Sequence, residues 1–351
     1  MIEIDGSIGE GGGQILRTAI ALSAILGEDI RIINIRKNRP NPGLKAQHLH
    51  AVKAVAKIAN ARVNGLKLGS QELIFKPQKI SAGQFTIDVG TAGSISLVLQ
   101  ALLPVLVFAN NESKIEIIGG TDTKWAPPID YLRFVFKRYL EYMGVDVSMD
   151  IIKRGHYPKG GGRVVVKTKP VGKLKSINVT DQGTIRNIKG ISHAVKLPRH
   201  VAERQANEAT KEIRKSLSPD INVEITIEHH INNMHLGPGS GIVLWTESDT
   251  LSVVGSDSLG ERGKRAEKVG FEAAKQLINV IKKGAAIDFH MCDMLLPWLS
   301  LANGESQLLA PDMTLHAQTN IEIIKLFLGD IFSYHKTQNN NYLIKIKGRG
   351  I

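Results

Sequence analysis

One succession of short elements runs through the chain twice intact and a third time in two pieces, and no other feature restricts the fold as strongly. The first copy opens with the strand Ile2-Glu3-Ile4, a turn from Asp5 to Gly13 and an apolar helix from Gln14 to Leu26. A strand from Ile30 to Ile35 follows, then the loop Arg39-Pro40-Asn41-Pro42-Gly43, a helix from Leu44 to Asn60, and strands at Arg62-Val63 and Glu72 to Phe75. The second copy keeps that order, with a strand at Phe85 to Val89, the turn Gly90 to Ser94 and a helix ending at Phe108. Its second strand is Lys114 to Ile118. The loop Trp125-Ala126-Pro127-Pro128 then introduces a helix from Ile129 to Met143, and strands at Val145 to Val147 and Arg163 to Lys167 close the unit.

The third copy starts at Ser176 to Val179, breaks off, and resumes near Ala285 with a helix from Asp293 to Ala302 and a strand at Gln307 to Leu309. The loop Thr314 to Gln318 leads to a helix that Thr319-Asn320-Ile321-Glu322 is expected to open as a capping box. Strands at Ile331 to Tyr334 and Tyr342 to Ile346 finish it. Between the pieces lie strands near Ile188, Glu224 to Glu228, Gly241 to Trp245 and Leu251 to Val254, with helices at His200 to Leu217 and Lys264 to Lys283. The expected fold is therefore α/β. Three β-α-β-α-β-β units (about 1–80, 81–171, and 172–183 plus 283–351) form a large domain from 1–183 and 283–351, and 184–282 is an inserted smaller α+β domain. A length of 351 residues accommodates such a pair without staples.

Lys and Arg exceed Asp and Glu by 45 to 33, a net charge of +12. The excess gathers at Arg31 to Lys45, at Lys153, Arg154, Lys159 and Arg163, and at Arg262 to Lys268, which suits an anionic partner such as a phosphate backbone. An aromatic content of 5% argues against a broad base-stacking platform. The single cysteine, Cys292, excludes an internal disulfide and a cysteine-based zinc site. Met1 to Asp5 has no signal-like character, so a reducing cytoplasm is expected. The longest apolar stretch, Ile95 to Ala109, is broken by Gln100 and Pro104 and is too short for a bilayer, so it reads as a buried helix and no membrane partner is expected.

The P-loop pattern is absent, because Gly255 to Gly260 runs into Glu261-Arg262. Gly9-Glu10-Gly11-Gly12-Gly13-Gln14 instead lies between a strand and a helix, where backbone N–H groups can approach a phosphate. Glu10 among those glycines is a candidate Mg²⁺ ligand, since Mg²⁺ uses one or two carboxylates together with substrate phosphates. If the three units pack around an axis, the loops carrying Arg39, Lys124 and His316 converge on an anion, and a neutral imidazole there can attack phosphorus. His229, His230 and His235 could meet around a metal only if the intervening loop folds back, and they are assigned to structure or RNA contact. His48 and His50, two apart on a helix, point to different faces. Cys292 reads as a small buried residue.

Taken together, these segments resemble the RNA 3′-terminal phosphate cyclases of archaeal type. The resemblance rests on Gly9 to Arg17, Pro42-Gly43-Leu44 with Gln47-His48-Leu49, Gly90 to Gln100 and Gly119 to Asp122. It continues through Arg154 to Pro158 with Gly160 to Gly162, Leu197 to Arg204, and Thr314-Leu315-His316. It implies an ATP-dependent enzyme, with Mg²⁺ or Mn²⁺, that turns an RNA 3′-phosphate end into a 2′,3′-cyclic phosphodiester. His316 would be adenylylated, and AMP would pass to the RNA end before ring closure expels it. By the same resemblance Glu10 would hold the metal, and Arg17, Arg39 and Gln47 would contact phosphates. Gln100 would contact the nucleotide, while His290, Met291, Cys292, Asp293 and Met294 would line the adenosine pocket with Asp293 on the ribose. Met294 departs from the pattern, since family members often carry Gln there. A non-catalytic ribosomal-RNA-processing relative and an enolpyruvyl transferase are the rival readings, and a homodimer is an option that the sequence leaves open.

Overall fold

In the computed structural model, which describes residues 1–232 and 234–351, each repeat becomes a four-stranded sheet with two helical segments. In the first, β1 (Ile2–Asp5) leads to α1 (Gly13–Leu26), whose Ile15, Leu16, Ala19, Ile20 and Leu22 recur at helical spacing and are buried. Gly27 ends α1 in the left-handed region at φ 72°, where its N–H reaches the Ser23 carbonyl. β2 (Ile30–Ile33) returns parallel to β1, α2 (Ala46–Ile58) follows, and β3 (Arg62–Asn64) and β4 (Leu73–Lys76) form an antiparallel pair, giving the order β1-β2-β4-β3.

The second unit repeats the topology with β5 (Gln84–Asp88), α3 (Ile95–Val107) and β6 (Ser113–Gly119). Its second helix is α4 (Ile129–Tyr131), a π-helical turn (Leu132–Phe136) and α5 (Lys137–Tyr142), and β7 (Val147–Lys153) and β8 (Gly162–Thr168) complete the order β5-β6-β8-β7. α3 is buried on almost every side, capped by the Ser94 hydroxyl accepting from the Leu97 N–H at 3.2 Å, and it packs against both α1 and α2. The apolar stretch that holds it is thus a central core helix. Among the described residues no helix is long and apolar enough to cross a membrane.

β9 (Asn178–Val179) begins the third unit and is followed by a separate sheet. Its elements are β10 (Ile185–Val195), α6 (His200–Ser216), β11 (Asn222–His230), β12 (Gly239–Ser248), β13 (Gly255–Leu259) and α7 (Ala266–Lys283), in the strand order β11-β10-β12-β13. The third unit resumes with α8 (Met291–Met294), α9 (Leu296–Leu301), β14 (Asn303–Ala310), α10 (Leu315–Leu328), β15 (Phe332–Lys336) and β16 (Tyr342–Arg349). Its order, β9-β14-β16-β15, matches the other two.

Strand alternation explains how the intervening sheet is covered on both faces. Ile188, Ile242 and Leu244 join Val269 and Leu277 in a core of their own. Ile191, Val243 and Trp245 face the other way into the main core, where Trp245 stacks on Phe134 with ring centroids 4.4 Å apart.

Three expectations need correction. α10 starts at Leu315, because the Thr314 hydroxyl accepts from the Ala317 N–H at 3.0 Å, whereas Thr319 lies inside the helix and donates to the Leu315 carbonyl. The strand expected at Val145 begins at Val147 and runs to Lys153, after the turn in which Gly144 adopts φ 88°. The strand expected at Leu251 to Val254 is instead β13 from Gly255, since Ser252 and Val253 bond to Ala286 and Tyr139 rather than to a neighbouring strand.

Candidate active site

The Gly9–Gly13 loop lies against α10, and its glycines are required there. Gly9 sits at φ 56°, and a Cβ on it would fall 2.3 Å from Thr319 Oγ1. The adjacent Glu10 N–H donates to that same hydroxyl at 3.1 Å. No side chain caps α1 at Gly12, so the N–H groups of its first turn remain available to an anion.

α10 carries His316 in its first turn, half exposed and directed at this loop. His316 Nδ1 lies 2.9 Å from Glu10 Oε2 and is hydrogen-bonded to Gln14 Oε1. The other Glu10 oxygen forms an ion pair with Arg39. Gln14 is itself buried, and its amide nitrogen donates to Asp293 Oδ2 at 3.0 Å and to the His316 carbonyl at 3.3 Å. Behind it, Thr18 donates to Asn320 Oδ1 at 2.7 Å, and Asn320 Nδ2 donates to the Asp293 carbonyl at 3.0 Å. These bonds tie α1, α8 and α10 into one support for the imidazole.

The partners at Nδ1 both accept, so the hydrogen-bond network assigns the proton to Nδ1 and leaves the Nε2 lone pair free. Burial, together with the cations Arg17 and Arg39, holds His316 below the ordinary imidazole range, with Asp293 opposing. The neutral, nucleophilic form is therefore favoured at neutral pH. Arg17, half-buried on α1, is lowered to about 10 by burial, with Asp293 pulling the other way. Burial raises Asp293, an effect that His316, His290 and Arg17 reduce. His48 packs over Gly13, where a Cβ would meet its Nε2 at 2.2 Å, and burial with Arg17, Arg36 and Lys45 lowers it to about 3.

The structure thus gathers Glu10, Arg17, Arg39, Asp293 and His316. Gln47 lies in the first turn of α2 beside Gly93 and Gln100 is half-buried in α3, and neither is hydrogen-bonded to this group. Lys124 does not join it: its Nζ pairs with Glu261 at 2.7 Å, on the loop between β13 and α7. In the segment from His290 to Met294, Met291, Cys292 and Met294 are buried, and burial with the nearby Asp293 pushes the Cys292 thiol up to about 12. An inert thiol follows. His290 faces Asp257 at 3.3 Å and the edge of Tyr131. Burial disfavours its charge, yet the hydrogen bond and charge of Asp257, with Asp288 and Asp293, raise it to about 9. His229 Nε2 donates to the Leu197 carbonyl at 3.0 Å, and the tilted rings of His230 and His235 have centroids 5.2 Å apart without joining a carboxylate–histidine metal grouping among the described residues.

Sequence reading overlooked Gln14, Thr319, Asn320 and Asp288. Gln14 stands inside a motif that was singled out, but its partners are 279 and 302 residues away. Asp288 is buried and accepts from Tyr131 Oη at 2.5 Å, Gly255 N at 2.7 Å and His290 N at 2.9 Å, thereby setting the path of the segment that contains Asp293.

The family model described as RNA 3′-terminal phosphate cyclase matches residues 8–334. The chain is 50% identical over 349 residues to the RNA 3′-terminal phosphate cyclase of Pyrobaculum neutrophilum, covering 99% of each chain. With that of Caldivirga maquilingensis it shares 54% over 348 residues, 99% of this chain and 97% of the other. With that of Pyrococcus abyssi it shares 49% over 332 residues, 95% and 94% of the two. Agreement at this level along nearly the whole length means that the chain belongs to the RNA 3′-terminal phosphate cyclase family.

Proposed function

We propose that this protein converts a 3′-phosphate at an RNA end into a 2′,3′-cyclic phosphodiester at the expense of ATP. The observation that carries the mechanism is the imidazole of His316, fixed at Nδ1 by Glu10 and Gln14 with Nε2 open, beside Arg17, Arg39 and the uncapped start of α1. Nε2 attacks the α-phosphorus of ATP, the bond to the β-phosphate oxygen breaks, and pyrophosphate leaves. An oxygen of the RNA 3′-phosphate then displaces His316 from that phosphorus, regenerating the free imidazole. The 2′-hydroxyl attacks the activated 3′-phosphorus, AMP departs, and the hydroxyl proton is released. A phosphate monoester has no good leaving group until AMP is attached, after which the neighbouring hydroxyl closes a five-membered ring with the advantage of proximity.

Arg17, Arg39 and the α1 N-terminus would offset phosphate charge as it shifts. A divalent ion fits the donor set here, because Glu10 presents a partly buried carboxylate at the loop where phosphates would sit, and Mg²⁺ takes few carboxylates and several phosphate oxygens. Glu10 would hold it, and Mg²⁺ or Mn²⁺ would neutralise phosphate charge. Asp293, Gln100 and the His290–Met294 segment are proposed to receive the adenosine.

The test uses two oligonucleotides with a 3′-phosphate, one ending in a ribonucleotide and one in a 2′-deoxynucleotide. With ATP, the first should become resistant to phosphatase, while the second accumulates the adenylylated end without cyclising. Phosphatase sensitivity of the ribonucleotide end after incubation would refute the proposal.

A further inference from the structure

A second cluster of chemistry-bearing side chains lies at the junction between the second unit and the intervening sheet. Asp122 follows β6, His156 lies between β7 and β8, and His193 is on β10; all three are buried, at 3%, 6% and 1% exposure. The two rings present the same atom to each other, with Nε2 to Nε2 at 3.0 Å. His156 Nε2 is 3.7 Å from Asp122 Oδ2, and His193 Nε2 is 3.8 Å from Asp122 Oδ1.

Charge counting shows what this cluster lacks. Arg154, buried at its centre, pairs with Asp130 at 2.6 Å, Glu228 at 2.7 Å and Asp122 at 3.5 Å, and Arg133 also pairs with Asp130. Three carboxylates thus face two guanidinium groups. The deficit falls on Asp122, whose Oδ1 is buried and has no hydrogen-bond partner among the described residues. A buried carboxylate oxygen left in this way is costly unless a cation meets it.

We infer that Asp122, His156 and His193 bind one divalent transition-metal ion of the Zn²⁺ class, with a water at the fourth position. Zinc bonds of about 2.05 Å in a tetrahedron separate the donor atoms by roughly 3.3 Å. The two nitrogens stand at 3.0 Å, and one oxygen of Asp122 completes a set of three donors that lie within 4.8 Å of one another, so coordination asks the carboxylate to move toward the rings by about 1.5 Å at most. Coordination through both Nε2 atoms replaces the hydrogen bond between them, so the ring that donates in it moves its proton to Nδ1 and no proton is lost overall. The Nδ1 atoms, which have no protein partner among the described residues, face away from the ion. Gly239 makes room for this arrangement, since a Cβ there would lie 2.0 Å from the His156 ring. Because the donors come from both sides of the junction, the ion staples the intervening sheet to the second unit. The inference is independent of the proposed ATP chemistry.

Co²⁺ added to the metal-stripped full-length protein tests it. Tetrahedral Co²⁺ absorbs strongly in the visible, so the expected result is saturation at one ion per chain and loss of the band with one equivalent of Zn²⁺. The band should vanish in His156→Ala and His193→Ala, and Asp122→Asn should weaken binding at least about tenfold. Absence of a band in the wild type overturns the inference, as does its persistence in either folded histidine variant. Should those variants fail to fold, Asp122→Asn decides, and unchanged affinity there overturns it too.

Discussion

Gln14→Met is the perturbation that separates the support of His316 from the histidine itself. Methionine keeps the length and unbranched shape of the side chain but removes two donors and one acceptor. The lost bonds run to Asp293, to the His316 carbonyl and to His316 Nδ1. At about 1 kcal/mol for each neutral bond and about 1.5–3 for one to a charged group, the sum is roughly 3–5 kcal/mol. Not all of it falls on the reaction, because Glu10 still stands 2.9 Å from Nδ1 and retains the tautomer. We expect about 1.4–2.8 kcal/mol to appear in the barrier, which is a 10- to 100-fold slower adenylylation, and the remainder to appear as lost stability. Single-turnover transfer of label from α-labelled ATP to the protein measures the first, with ATP affinity measured separately and expected to change less than about threefold. A rate within twofold of wild type would refute the claim that Gln14 orients the imidazole.

Asn320→Ala should destabilise the fold by roughly 2–4 kcal/mol, because it strands the Thr18 hydroxyl and the Asp293 carbonyl inside the helix junction; a urea midpoint shift at unchanged slope would measure it. Acid sensitivity should carry a contribution from His48. Its folded value of about 3 lies below the unfolded 6.5, so the unfolded chain binds the extra proton first, and stability present above pH 6.5 declines as pH falls. Between pH 6.5 and 5 that amounts to about 1.5–2 kcal/mol, and His48→Gln should remove this part of the slope in denaturation curves. RNA affinity should fall linearly on logarithmic axes as salt rises, as the net charge of +12 implies, and an affinity indifferent to salt would contradict a phosphate-led encounter.

The three-unit architecture was legible because each unit carries its own periodicity. Ile2, Ile4, Ile30 and Ile32 alternate, and Ile15 to Leu22 recur at helical spacing, without reference to anything distant. β9 shows where such signals lose precision: the sequence places a strand from Ser176 to Val179, but only Asn178 and Val179 pair, with Gln307 and Leu308 on β14. At α10 two threonines competed. Thr319 has the better local pattern with Glu322, yet Thr314 makes the cap, because its hydroxyl is the one that reaches an unpaired N–H.

Grouping Arg39 with His316 followed from their equivalent positions in the repeat, and Glu10 joins them physically. Lys124 held the same position but is drawn off by Glu261, a residue the other two units have no counterpart for because it comes from the intervening segment. Gln14, Asn320 and the Asp122–His156–His193 cluster depend on contacts between segments far apart in the chain. No local spacing announces such contacts.

The central claim is that His316 acts through Nε2. Wild type and His316→Ala, with α-labelled ATP and Mg²⁺, should differ completely: acid-labile, alkali-stable label on the wild type alone, with AMP located on Nε2 of His316 by NMR of the denatured adduct. His316→Ala should retain its fold, since the side chain is half exposed and in no apolar core. Label of equal yield on folded His316→Ala, or AMP on Nδ1, would contradict the account, and absence of label from a wild type that binds RNA would favour a binding protein of the same fold.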